Sequence, residues 1–528
     1  MSASASLAAP PSTFERFRRA VNRPWVALVA VGLLAAVLRF THVTYPEQRI
    51  FDEYYYSKSA CIFLGYTNER CDVNSEDERY WRRERDDVGS YVHPPLGKWA
   101  IAVGELIFGP DPFGWRFSAV VFGSASVVML AGIAHLLFRK PIWTFTAGLL
   151  LATESLHFVQ SRMAMLDIFV TTWIVAGFLL LVLDREWIDR RTFGSRSQVS
   201  VGSVGPGTAG PYPRPAQPVS GVATATGGDG GSGGPSAPTP PDDRAPVPEP
   251  LFRPWRLLAG VAFGAAVASK WSGVTAIATA IVLSLMWETS RRKRAGVERP
   301  LWGAVAAEGF GIVIALLLVP VAVYVVSYVG WFAQNGWDVP EWLRLQGEIA
   351  DYHRHLDVVD AEGKPIHPYL SEAWKWILLV RPILYYSKYP VPGLRKVIYA
   401  NGNPAVFWGA LLAVPFALFR WRQRRDWRAG FVAVAVLGLY VPWLLVPRPQ
   451  FLFYATPIVP FLVLACVYAL QDVAEIRVAG SRSRPYLPFV VGFVVLSVGL
   501  FVWFWPALTG GPLSDAAFRL RAWFPTWT

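Results

Sequence analysis

Charge is scarce in this chain. Asp, Glu, Lys and Arg make up only 17% of its 528 residues, against 53% hydrophobic residues. A soluble chain of that length would divide into several domains and carry more charge, so that class is excluded. Cysteine is nearly absent, with three residues. Cys61 and Cys71 share a polar loop, and Cys466 lies in an apolar run. A Cys61–Cys71 bridge and two free thiols are both compatible with the pattern; the bridge requires that the loop face an oxidising compartment. There is no Walker-type glycine loop, no His-Glu-x-x-His and no Asp-x-Asp triplet. A P-loop phosphate site, a zincin site and a soluble-type nucleotide-sugar site are therefore not expected. His353 and His355 stand two apart, on different helix faces, which disfavours a zinc pair. No small-residue cleavage site follows the first apolar run, so it reads as an anchor, not a signal peptide.

What is present is a series of apolar runs of roughly 17–25 residues, the length that crosses a bilayer. Aromatic residues are 14% of the chain and Trp counts 24. Many Trp sit at the ends of these runs, where an amphipathic ring suits the headgroup level. A tail, 1–23, precedes the first span, Trp25 to Leu38, which Arg39 closes. Residues 40–115 form an acid-rich loop whose Lys98–Phe108 piece is too short to span and reads as interfacial or re-entrant. Further spans are expected near 116–138, 141–158 and 164–183, completing a first block over 24–183. Residues 184–254 begin with charges, Arg190 and Arg191 among them. From about 201 to 250 they become a Gly/Pro/Ser/Thr/Ala tract that cannot bury a core and should be disordered. A second block, 255–330, holds spans near 255–270, 272–289 and 301–330. A loop over 331–403 follows. In it Trp342, Leu345, Ile349, Tyr352 and Leu356 recur at helical spacing after Pro340, the stripe of an amphipathic helix lying on the membrane. The last block, 404–528, has spans near 404–420, 428–446, 452–471 and 485–505.

The fold class is thus an all-α polytopic membrane protein with about eleven spans and two large loops. The net charge of +12 would raise nucleic-acid binding in a soluble protein. Here Arg16–Arg23, Arg139-Lys140, Arg190-Arg191, Arg291–Arg294, Arg420–Arg428 and Arg477–Arg484 all fall on one side if every span counts once. The positive-inside rule makes that side the cytoplasm. Both large loops then face outside, with the N-terminus cytoplasmic and the C-terminus extracytoplasmic.

The candidate chemistry collects on the outer side. Asp52 and Glu53 are adjacent, so on a helix they point about 100° apart and serve two roles. One acid takes part in a reaction and the other fixes the local fold. His93-Pro94-Pro95 is a stiff turn into the Lys98 helix. Arg116, Arg162, Asp167, Lys270 and Arg448 lie at or just inside span ends, where an ionisable group is costly unless paired, hydrated or used. Arg162 and Asp167 are close enough in sequence to pair at i, i+5. Lys270-Trp271 marks a tight turn between spans. Arg448, between Pro447 and Pro449, is held rigidly in a way that suits a phosphate. Several cations beside one carboxylate fit departure of a phosphate with base-assisted attack by a hydroxyl.

These residues resemble the protein O-mannosyltransferase family. The likeness rests on Phe51-Asp52-Glu53, Val92-His93-Pro94-Pro95-Leu96-Gly97-Lys98, Arg116-Phe117-Ser118-Ala119, Arg162 with Leu166-Asp167, and Ser269-Lys270-Trp271-Ser272-Gly273, with Arg39 at the end of the first span. The resemblance implies a GT-C fold and inverting transfer of mannose from a polyprenyl- or dolichyl-phosphate to Ser or Thr of secreted proteins, met as they leave the translocon. It implies Asp52 as base and Glu53 as its supporting acid. Arg39, His93, Lys98, Arg116, Arg162, Asp167, Lys270, Trp271 and Arg448 are the expected substrate-binding residues. The expected partners are the lipid-linked donor, the acceptor polypeptides and membrane lipids, with no nucleic acid. No cofactor beyond the donor is expected, and a divalent-ion requirement stays open. The 331–403 loop is too short for the β-trefoil domain of eukaryotic members, which points to a bacterial, actinobacterial-like relative. Tyr91 stands where eukaryotic members often have an acid. The alternatives are a GT-C enzyme with another lipid-linked sugar or a lipid or glycan acceptor, or a transporter. The lack of a clear internal repeat disfavours the transporter.

Overall fold

A computed structural model describes residues 23–73, 90–193, 252–359, 363–365, 367–477 and 483–527. The acids between Glu76 and Asp87, most of the N-terminal tail and the 201–250 tract lie outside these residues.

The chain is mostly helical. Among the described residues, seven helices are long and apolar enough to cross a membrane, and four shorter apolar ones accompany them. The expected count of eleven corresponds to the seven plus the four shorter helices, if those also cross. Proline at the first helical position starts α1 (Pro24–Phe40). Its missing N–H has no partner to lose there, and its φ is already helical. α2 (Glu53–Phe63), α3 (Asn68–Cys71) and α4 (Leu96–Phe108) lie in the first loop. α5 (Pro112–Phe138) is capped by Asp111, whose carboxylate accepts from the Phe113 and Gly114 amides at 2.9 and 2.8 Å. The span expected at 141–158 is broken into α6 (Pro141–Ala152) and α7 (Ser155–Gln160), and α8 runs Leu166–Phe193.

After the undescribed stretch come α9 (Pro254–Ser269) and α10 (Val274–Arg294). α11 (Pro300–Val313) and α12 (Val319–Ser327) are one rod joined by a π turn at Ile314–Leu318. Pro320, just beyond the turn, has no N–H to continue the ladder, which favours the bulge. α9 packs closely on this rod. A Cβ at Gly260 would sit 1.8 Å from the Ala315 carbonyl oxygen, so the small residue sets the approach.

α13 (Val329–Asn335) and α14 (Val339–Arg354) follow. Trp342, Leu345 and Ile349 of α14 are buried against Tyr328, Trp331 and Phe332. Leu356 lies beyond the end of the helix. Next is α15 (Ala373–Trp376), then a feature the helical patterning did not signal: β1 (Ile383–Val391) paired antiparallel with β2 (Leu394–Ala400). α16 (Pro404–Arg424), α17 (Trp427–Tyr440), α18 (Val459–Ala474) and α19 (Leu487–Thr509) complete the bundle. The chain then adds β3 (Pro512–Ser514) to β2, and Trp527 is buried near its end. The helices alternate, so the first loop, the 328–403 segment, the 446–458 segment and the 510–527 segment share one end of the bundle.

Candidate active site

One arginine folds the chain leading to Asp52. Arg116, in the second turn of α5, uses all five of its N–H donors within the protein. Nη1 donates to the Val43 and Pro46 carbonyls at 3.0 and 2.8 Å, and Nη2 to the Gln48 carbonyl at 3.1 Å. Nη2 and Nε each reach a different oxygen of Glu53 at 2.8 Å. Glu53 is fully buried, and its carboxylate also accepts from the Ala164 and Ile50 amides at 2.9 and 3.2 Å. This fork-to-fork pair is the geometry guanidinium favours. The two adjacent acids do diverge: Glu53 turns into the core, while Asp52 stays half-buried at the rim.

Asp52 precedes the first turn of α2 without a side-chain cap hydrogen bond. Tyr56, one turn on, donates to it at 3.4 Å. Phe51 has φ +52°, a region that non-glycine residues seldom occupy. Its ring is held by Tyr385 at 4.8 Å between centroids, with Phe453 at 5.8 Å and His367 at 6.0 Å. The hairpin and the C-terminal helices therefore fix the residue that carries Asp52.

Opposite stand the cations. Lys270, at the end of α9, puts Nζ 2.9 and 3.0 Å from the two oxygens of Asp167 in the first turn of α8. The same ammonium lies 4.4 Å from the Tyr454 ring centroid, a cation–π contact. Arg448 donates through Nη2 to Tyr454 Oη at 3.2 Å, and its Nη1 is 2.9 Å from His353 Nδ1. His353 Nε2 is 3.0 Å from the Val92 carbonyl. A nitrogen facing a carbonyl must carry the proton, so Nδ1 accepts from Arg448 and the ring is neutral. Burial, then the Arg448 charge, pulls His353 down to about 4. The His93 ring lies 5.3 Å from that of His353, and burial followed by the Lys270 charge holds it well below the usual histidine value. Burial pushes Asp52 up to about 6, with the Lys270 charge opposing and the Asp167 charge adding to the rise. Tyr385 lies in the field of both carboxylates and accepts a hydrogen bond from Gln160 at 2.9 Å.

An apolar groove of about 480 Å³ opens beside this cluster, lined among others by Val267, Trp271, Ile277, Leu317 and Val321. The Trp271 indole donates to Tyr324 Oη at 2.9 Å, and Tyr324 donates to Gln346 Oε1 at 2.6 Å. Trp271 thus forms the wall between groove and cations. Among the described residues no group of three or more His, Cys, Asp or Glu converges as a metal-holding set.

The structure brings Asp52, His93, Asp167, Lys270, Trp271 and Arg448 around one space. Other expected contacts lie beneath it. Glu53 and Arg116 are committed to each other. Lys98 is buried and donates to the His93 carbonyl at 2.8 Å, bracing the His-Pro-Pro turn. Arg39 meets His157 Nδ1 at 2.9 Å in the core. Arg162 does not pair with Asp167; its Nη2 donates to the His42 carbonyl at 2.9 Å, and Lys270 takes Asp167 instead. Sequence reasoning missed Tyr56, His353, Tyr385 and Tyr454. The span expected near 452–471 begins later: Leu452–Ala455 is a 3₁₀ turn at the site and α18 starts at Val459. The Cys61–Cys71 question has an answer: the bridge is formed.

Comparisons with known proteins agree with this arrangement. The family model described as dolichyl-phosphate-mannose-protein mannosyltransferase matches residues 29–201, and that of the C-terminal four-span region of protein-O-mannosyltransferase matches 339–527. The polyprenol-phosphate-mannose–protein mannosyltransferase of Mycolicibacterium smegmatis is 31% identical over 98% of this chain and 95% of its own length. Its Mycobacterium tuberculosis counterpart is 30% identical over 96% and 92%. Among solved structures, the S. cerevisiae Pmt1-Pmt2 complex bound to the sugar donor has a chain that superposes with a TM-score of 0.67 at 13% identity, covering 96% of this chain and 92% of that one. The overall fold is accordingly GT-C. With a relative this similar along nearly its whole length, the chain belongs to the protein O-mannosyltransferase family.

Proposed function

We propose that this chain transfers mannose from a polyprenyl-phosphate donor to Ser or Thr hydroxyls of secreted polypeptides, with Asp52 as general base. The observation that carries the reading is a half-buried carboxylate facing the Lys270–Asp167 pair and Arg448, at the head of an apolar groove. In this reading the polyprenyl chain lies in the groove past Trp271, and the phosphate meets Lys270 and Arg448. The acceptor oxygen bonds to the anomeric carbon as the carbon–oxygen bond to phosphate breaks. The bonding pair leaves on the phosphate oxygen and the hydroxyl proton passes to Asp52. A single displacement of this kind inverts the anomeric centre. Glu53, Arg116 and Lys98 act as positioning residues.

The purified protein, given labelled polyprenyl-phosphate-mannose and a Ser/Thr-rich peptide, should yield labelled peptide. Label appearing only on added lipid or glycan acceptors would reject the protein acceptor.

In this reading the multi-pass chain sits in the plasma membrane with the site outside, the N-terminus cytoplasmic and the C-terminus extracytoplasmic. It meets its acceptors as they leave the translocon. The Cys61–Cys71 bridge supports an oxidising compartment for the first loop. Single cysteines introduced at Ser90 and Ser232 test this with an impermeant thiol reagent on intact cells. Only the first should react; reaction of the second alone, or of both, would overturn the topology.

A further inference from the structure

A second cavity lies at the opposite end of the bundle. It has a volume of about 430 Å³ and is lined by Arg185, Lys293, Arg294 and Arg425 together with Trp287, Trp421 and Trp427. No carboxylate is among its lining residues. Its elements are the late turns of α8 and α10, the end of α16 and the start of α17. Lys293 lies 23 residues along the chain from Lys270, and at 1.5 Å per helical residue the two faces are about 35 Å apart, close to a bilayer thickness.

The cavity has a surplus of positive charge. Asp189, which pairs with the lining residue Arg185, is shared by three arginines: Arg185 and Arg291 at 3.0 Å, and Arg294 at 3.5 Å. Arg185 is more than nine-tenths buried, and its Nε has no hydrogen-bond partner. Its guanidinium lies 3.7 Å from the Trp427 ring centroid, so the plane is held while the Nε–H remains free. A buried donor left unmatched is costly and marks a place where an acceptor is wanted. Lys293, Arg294 and Arg425 are exposed at the rim. Trp rings beneath cations at the end of a bundle are the pattern of the membrane–water boundary. Clustered cations there bind anionic headgroups at about 1 kcal/mol per charge.

We infer that this cavity binds the phosphodiester headgroup of an anionic membrane phospholipid, with Arg185 as its buried anchor and Lys293 and Arg425 as rim contacts. The site is separate from the one that takes the donor. It gives the enzyme a lipid contact on the face opposite the chemistry, at the junction of the α8–α10 and α16–α17 helices.

The test uses the full-length protein in detergent and native mass spectrometry with added phosphatidylglycerol, phosphatidylcholine or inorganic phosphate. Phosphatidylglycerol should bind at least tenfold more tightly than phosphatidylcholine. Lys293→Gln/Arg425→Gln removes two exposed charges with little risk to folding. It should weaken phosphatidylglycerol on the order of ten- to thirtyfold. The control Arg422→Gln/Arg424→Gln removes two charges from the same end outside the cavity and should change binding less than threefold. Arg185→Gln, in protein that remains monodisperse, should weaken it at least as much as the rim pair. Equal losses in the rim and control pairs would mean diffuse surface attraction and overturn the site. Displacement of the lipid by inorganic phosphate at equal concentration would show a free-anion site and overturn the lipid assignment. Equal affinity for the two lipids would do the same.

Discussion

Replacing Asp52 by Asn separates chemistry from architecture. Among the described residues the carboxylate makes no cap hydrogen bond, and the side-chain hydrogen bond it accepts from Tyr56 is long at 3.4 Å. Asn is isosteric, so the fold should be unaffected. What it removes is the basic lone pair. General-base catalysis is worth about 10²–10⁴-fold, so kcat should fall by that order while the donor KM stays within a few-fold. The wild-type pH profile gives an independent check. Burial has raised Asp52 to about 6, and the base must be ionised to work. Activity should therefore be near its plateau above pH 7 and fall as pH drops through 6. At pH 5 roughly a tenth of the sites remain ionised, so the rate should drop about tenfold relative to pH 7. The residual activity of Asp52→Asn should lack this limb. The assay is turnover and donor KM in purified protein reconstituted in liposomes, from pH 4.5 to 8.5. Near-normal turnover of Asp52→Asn, a defect confined to donor KM, or an acid limb that survives in the variant would refute the assignment.

Arg448→Ala should raise the donor KM at least tenfold, the value of a charge-assisted hydrogen bond to phosphate, with a smaller effect at saturating donor; an unchanged KM would remove Arg448 from the phosphate site. Lys270→Ala should do the same and also lower the melting temperature, because it leaves Asp167 buried and unpaired. Glu53→Ala should cost about 3–5 kcal/mol of stability by isolating the buried Arg116 charge; thermal unfolding in detergent measures it, and a stable variant with only a kcat defect would place Glu53 in the reaction. Deleting about 40 residues within 201–250 should leave activity nearly intact, since a Gly/Pro-rich tract spans its ends with slack; a large activity loss with normal membrane insertion would reveal a role for it.

The spans were legible because apolar length is a one-dimensional property. The break at Ala152–Ser155 was not, because Thr153, Glu154 and Ser155 are a short polar step between apolar residues on both sides and could equally sit within a continuous helix. Glu154 earns its place through tertiary partners, accepting from the His157 and Asn403 amides at 2.7 Å each. The Asp52-Glu53 pair stood out because it lies just beyond the first apolar span, at a helix mouth. That the two side chains would diverge was also readable, from the roughly 100° step between neighbours. Which acid faced the core was not, because that depends on Arg116, which lies 63 residues away. Arg116, Arg162 and Arg39 look from sequence like cations waiting for a ligand. Their actual partners are mostly backbone carbonyls, which leave no trace in side-chain patterning. The hairpin was hidden for a related reason. Its strands are broken up by residues that read as loop, Lys388 and Pro390 within β1 and Pro392-Gly393 between the strands, and the contact it makes, Tyr385 against Phe51, is visible only in three dimensions.

The charge arrangement explains why an enzyme of this kind would pair Lys270 with Asp167 rather than leave it free. An unpaired charge buried this far from water is costly. Asp167 gives the ammonium a partner and keeps it aimed, at the expense of part of its pull on the donor phosphate. That loss matters little if the pull is needed mainly late. In the proposed reaction the phosphate gains one negative charge as it leaves, while Asp52 loses one by taking the proton. The total is constant, but the negative charge moves from the Asp52 side toward Lys270 and Arg448. Cations fixed on the leaving side, by Asp167 and by Tyr454 and His353, therefore stabilise the transition state more than the ground state, which is what catalysis requires. A free, mobile lysine would reorganise during the step and forfeit part of that difference. Asp167→Asn should accordingly lower kcat more than it changes the donor KM, and a change confined to KM would show that the pair serves binding alone.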